Sequence, residues 1–143
     1  MDETRRQPEE SESGDQRCDC VRSIDLQGHI ARTLPHLTAG DVLALTEIVE
    51  RLITAYEPQR IYLFGSKARG DFGPDSDFDL LVVVPDDAPP ERTGSRLAYR
   101  VLRGTGTAAD IVVWTQKRFD SRLHLRASLP ATVVREGRLL HAA

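Results

Sequence analysis

Aspartates occupy alternate positions 75, 77 and 79 in GSKARGDFGPDSDFDLLVV, residues 65–83, at the mouth of an apolar run, and Asp110 opens a second such run, ADIVVW. Two residues apart on a strand, Asp77 and Asp79 leave the same face about 6 to 7 Å apart along the chain. If Asp110 opens a neighbouring parallel strand, three carboxylates converge at one sheet edge. They meet beside the Gly65-Ser66 turn if the preceding strand runs antiparallel. Like charges held that close repel, and a fold keeps them only with a compensating cation. Few hard oxygen ligands, without His or Cys, suit Mg²⁺ that keeps some waters and completes its shell from a substrate's phosphates. A carboxylate pair that bridges two ions about 3.5 to 4 Å apart serves in-line phosphoryl or nucleotidyl displacement.

Competing explanations account for less of the pattern. Asp75, Asp77 and Asp79 imitate the start of a calcium loop, but Leu80 stands where that loop needs glycine, and no glutamate follows at its twelfth position. GSKARG lacks the spacing of a phosphate-binding P-loop. Turn formation explains Asp75 and Asp77, yet leaves Asp79 inside the apolar run, and Asp110, unexplained.

The elements that must position these groups follow from periodicity. From Thr38, apolar residues Val42, Leu45, Ile48, Val49, Leu52, Ile53 and Tyr56 recur at helical spacing, with Thr38 as N-cap, Asp41 in the first turn and Pro58 as the stop. RIYLF, 60–64, is a strand that feeds the Gly65-Ser66 turn. DFDLLVVV, 77–84, apolar on both faces beyond Asp79, suits a central strand. Residues 91–103 have helical spacing through Leu97 and Val101, with Tyr99 or Leu102 on the same face, and end at Gly104 and Gly106. ADIVVW, 109–114, is the next strand, so the strand, helix and strand make a right-handed crossover with parallel partners. Pro35 breaks any helix in the lead-in 23–37.

At 143 residues with a formal net charge of -3, the chain is expected to form a single domain whose bulk charge names no partner. Residues 1–20 hold seven acids against three arginines, a net -4 that leaves +1 on the rest. This gives little electrostatic support for direct nucleic-acid binding. Residues 1–22 carry almost nothing apolar and are expected to be a disordered acidic tail before a domain at 23–143. Cys18 and Cys20 have no second pair to complete a zinc site, even counting His29 or His36, and are read as reduced thiols. No apolar stretch approaches the roughly 20 residues that cross a bilayer, and no leader is evident. A cytoplasmic protein without membrane contact is expected.

Gly65-Ser66, ten residues, then Asp77-Phe78-Asp79 resembles the GS-x10-DxD signature of the polymerase β-like nucleotidyltransferases. Within them the stretch looks like the minimal nucleotidyltransferases (MNT), antitoxins that act beside HEPN toxins, over about residues 38–140. The resemblance implies an α/β (α+β) fold, a small mixed sheet with flanking helices. It implies Mg²⁺, as two ions, on Asp77, Asp79 and Asp110, with Asp110 also helping to deprotonate the incoming hydroxyl. Gly65 and Ser66 would hold the triphosphate of ATP, and Lys67 and Arg69, in the same turn, are further candidates to meet its phosphates. Relatives that modify antibiotics or tail RNA carry a sizeable second domain for the acceptor, so the acceptor here is expected on another chain. The implied activity is transfer of AMP to a tyrosine hydroxyl of a cognate HEPN ribonuclease in a hetero-oligomer. The alternatives are an antitoxin that only covers its toxin, and a nucleotidyltransferase with a small-molecule acceptor. The segment PATVVREGRLLHAA resembles the family's closing helix, ended by Gly137, and short strand. Leu129, Val133 and Val134 are expected in the core. Trp114 shares the face of Asp110 and is expected to pack, while His124 and His141 have no partner at any recognisable spacing.

Overall fold

A computed structural model describes residues 25–71, 73 and 76–143. The expected acidic tail, Cys18, Cys20 and Asp75 lie outside them. Helix α1 includes residues 25–33. Helix α2 spans Ala39–Tyr56, and the Thr38 hydroxyl caps it by accepting from the Asp41 amide. Strand β1, Arg60–Phe64, leads into the single-turn helix α3, Ser66–Arg69. Strand β2 is Phe78–Val84. A 3-10 turn at Pro90–Arg92 precedes helix α4, Arg96–Val101, and strand β3, Ala109–Thr115. Helices α5, Gln116–Arg122, and α6, Leu129–Glu136, then lead to strand β4, Arg138–Ala142.

The sheet has the order β3-β2-β1-β4. Strand β1 runs antiparallel to β2 and β4, and β2 pairs with β3 in parallel, as the crossover requires. Side chains alternate between two apolar layers. Ile61, Leu63, Leu80, Val82, Ile111 and Val113 pack under α1, α2 and α4. Tyr62, Leu81 and Val83 pack with Phe119 of α5 and Val133 of α6. Covered on both faces, β2 is almost wholly buried, which accounts for its run of aliphatic residues. Among the described residues no helix is long and apolar enough to cross a membrane.

Several local expectations change. The lead-in is helical through residue 33, because Pro35 falls just after the helix, and Ile30 and Leu34 are fully buried. The helix expected over 91–103 is split by 93–95, where the Gly94 carbonyl accepts from the Tyr56 hydroxyl. Helix α5 was not marked by the spacing of its short apolar content. Val134, expected in the core, is 54% exposed, since Val133 takes the inward side of α6.

Tyr56 joins the long helix to the crossover. Its hydroxyl donates to the Gly94 carbonyl at 2.6 Å and accepts from the Ala98 amide at 2.8 Å. Burial raises its pKa, opposed by the Ala98 hydrogen bond. Tyr56→Phe strands a buried amide, so a loss of about 1 to 3 kcal/mol is expected in urea unfolding.

Candidate functional site

Strand register brings the carboxylates together. Asp79 is the Cα partner of Asp110 across the parallel β2–β3 pair, and of Phe64 across β1–β2. Gly65, the next residue after Phe64, therefore stands beside Asp79. It has φ +77, and a Cβ built on it would collide with the Asp79 carboxylate. Only glycine satisfies both the backbone angle and the contact. Ser66 opens α3, whose Ala68 and Arg69 amides return to the Gly65 carbonyl.

Asp79 is half-buried, whereas Asp77 and Asp110 are exposed. Burial first, then the neighbouring Asp110 and Asp77 carboxylates, push the Asp79 pKa above its ordinary value, with Arg69 opposing. All three carboxylates thus share one electrostatic environment. As placed, no three His, Cys, Asp or Glu side chains among the described residues form a group that could hold a metal ion. One oxygen of Asp110 is engaged elsewhere: Oδ1 accepts from the Tyr99 hydroxyl at 3.0 Å. That bond, ahead of burial, raises the Tyr99 pKa. The donors are all hard carboxylate oxygens, the donor chemistry that suits Mg²⁺, and a cation among them would offset the Asp110 and Asp77 contributions to the Asp79 shift, whose larger cause is burial.

The two cations of the turn separate. Arg69 is exposed, pairs with Asp71 at 3.2 Å and Glu136 at 3.8 Å, and acts on Asp79. Lys67 is instead buried, with Nζ 3.8 Å from Asp41 Oδ1 and 4.6 Å from the Phe78 ring centroid. It anchors the turn to α2 and to the side of β2 opposite Asp79, so the expected phosphate contact by Lys67 does not match its placement. His36, which carried no sequence signal beyond a lone imidazole after Pro35, braces the same turn: Nε2 donates to the Lys67 carbonyl at 2.6 Å. Of Tyr99 and Leu102, the alternatives for the apolar helix face, Leu102 packs against the core, whereas Tyr99 is 50% exposed and belongs to neither core layer. Trp114 packs with the Tyr62–Phe119 layer under the Arg118 guanidinium. His29 donates from Nε2 to the Leu139 carbonyl, His124 is exposed, and burial lowers the His141 pKa against a hydrogen bond with the Pro58 backbone.

The model of the nucleotidyltransferase domain matches residues 45–139. The chain belongs to the nucleotidyltransferase domain family. It is 31% identical over 100 residues to a Methanocaldococcus jannaschii protein named "Putative protein adenylyltransferase", a match covering 68% of this chain and 95% of that one. A toxin–antitoxin structure with AMP-PNP is 24% identical, covering 68% of this chain and 73% of the other at a TM-score of 0.45. A structure of the tri-AMPylated Shewanella oneidensis HEPN toxin in complex with MNT antitoxin is 23% identical, covering 71% of each chain at a TM-score of 0.44. Membership of the nucleotidyltransferase family rests on the domain match and the Methanocaldococcus relative.

A raised folded-state pKa means that the folded chain holds the Asp79 proton more tightly than the unfolded chain does. Stability therefore falls as pH rises through the window between the ordinary and the raised value. In metal-free buffer near neutral pH, Asp79→Asn is expected to melt higher than the parent. The advantage should vanish in acid, where both forms are uncharged at this position; thermal melts across pH measure it. Gly65→Ala is expected to cost about 1 to 3 kcal/mol in denaturant unfolding, because the left-handed angle and the Asp79 contact both oppose a side chain.

Proposed function

We propose that this nucleotidyltransferase moves AMP from ATP to a tyrosine hydroxyl of a partner protein, a HEPN-type toxin, and so silences it. The observation that carries the reading is the in-register Asp79–Asp110 pair, with Asp77 two residues before Asp79 and the side-chain-free Gly65 against the Asp79 carboxylate. A protein acceptor agrees with the name of the Methanocaldococcus relative. The toxin partner follows the MNT-like GS-x10-DxD stretch.

In this reading Asp77, Asp79 and Asp110 hold Mg²⁺. When bound, the metal supplies positive charge against the triphosphate. Gly65 lets the backbone approach the phosphates closely, and the Ser66 hydroxyl and turn amides grip them. Arg69 adds a cation at the same mouth, while Lys67 and His36 keep the turn in place from behind. Asp110 takes the proton of the incoming hydroxyl as its oxygen attacks the α-phosphorus, and pyrophosphate departs.

Incubation of a HEPN-type toxin, the partner proposed above, with the chain, ATP and MgCl₂ is expected to add about 329 Da per AMP to a toxin tyrosine. RNA cleavage should stay blocked after the two proteins are separated. Mg-ATP should also raise the melting temperature of the parent by linkage. Asp77→Asn/Asp79→Asn is expected to lose both the adduct and the rise. Protection without any adduct, equally strong in the double variant and ending on separation, would mean a protein that only covers its toxin.

A further inference from the structure

Asp110 is the group read above as the acceptor's base, and its Oδ1 already holds a phenol. Tyr99 Oη stands 3.0 Å from that oxygen, within the distance a general base needs from the proton it takes. On the proposed role of Asp110, the Tyr99 hydroxyl thus lies where an acceptor's hydroxyl would give up its proton. Packing does not explain it, because the Tyr99 ring is half-exposed and joins neither apolar layer. The backbone that carries it is anchored. The preceding residue, Ala98, is fully buried, and its amide is bound by the Tyr56 hydroxyl. The register of β2 with β3 then sets Asp110 opposite Asp79.

We infer that Tyr99 is itself an acceptor: the chain adenylylates its own Tyr99 in cis. This rests on the proposed ATP site and names a second substrate for it. The step consumes no reactant beyond ATP and uses the same metal-dependent site. Tyr99 Oη forms a bond to the α-phosphorus while the bond from that phosphorus to the bridging oxygen of the β-phosphate breaks. Pyrophosphate leaves with the electron pair, and the phenol proton passes to Asp110 and then to water. The product is a phosphodiester between tyrosine and adenosine, the same linkage proposed for a partner's tyrosine.

The test uses the full chain alone with ATP and MgCl₂, followed by intact-mass measurement and peptide mapping. A gain of about 329 Da is expected, confined to the peptide that contains Tyr99, at a first-order rate independent of protein concentration. Tyr99→Phe and Asp77→Asn/Asp79→Asn should each gain nothing. The double variant, whose Tyr99 is intact, should also stay unmodified when mixed with active Tyr99→Phe chain, as a reaction in cis demands. Modification of that variant in the mixture, or an adduct on another residue, overturns the inference. Melting with Mg-ATP, read on the same parent sample, separates the two levels. No adduct with the melting rise intact overturns self-modification and leaves the site standing; no adduct and no rise overturns both.

Discussion

Repulsion among carboxylates at the head of the β2–β3 pair is the constraint on which the rest of the molecule depends. Parallel pairing fixes Asp79 opposite Asp110, and the approach of Asp77 adds a third charge to the same environment. A fold built only for stability would put an apolar residue at position 79, as it does at every later position of β2. The structure instead keeps the charge half-buried and surrounds it with stiff elements. Helices cover both faces of the sheet, so the strands that deliver the aspartates have little freedom to move apart.

The Gly65 turn is held from several directions. In front, Gly65 leaves room for a carboxylate where any other residue would place a side chain. Behind, Lys67 reaches Asp41 at the start of α2, and His36 holds the Lys67 carbonyl. At the side, Arg69 meets Glu136 at the end of α6. A loop expected to grip phosphates gains from such bracing, since ordering it at the moment of binding would cost affinity. The division of labour between Lys67 and Arg69, two residues apart, follows from α3 being a single helical turn: one cation points into the protein and the other to its mouth.

Much of this was legible in the chain itself, for particular reasons. The α2 periodicity, the Thr38 cap and the two apolar runs of β2 and β3 report their environments directly, because each buries a face or is buried throughout. The spacing from Gly65-Ser66 to Asp77 and Asp79 exposed the turn and the carboxylates together. Other features depend on contacts between residues distant in sequence. Nothing local separates a lysine that pairs with Asp41 from one that faces solvent, and His36 is one imidazole among several. The split of the crossover helix at 93–95 arises from a hydroxyl 38 residues earlier. Helix α5 is short, and Phe119 is its sole buried residue, so no repeating pattern announces it.

Gly137 joins the last two elements, and an added Cβ there would lie 2.5 Å from the Val133 carbonyl oxygen and 2.8 Å from that of Leu63. Leu63 lies two residues before Gly65, so the joint between α6 and β4 is pressed against the strand that delivers the turn. The α6–β4 joint thus acts as a doorstop behind the Gly65 turn, although some seventy residues separate them along the backbone. A bulkier residue at the joint would press on the strand that carries the turn. The outward residues of β4, such as Arg138 and Leu139, lie clear of this contact, whereas a side chain at position 137 would thicken the hinge itself.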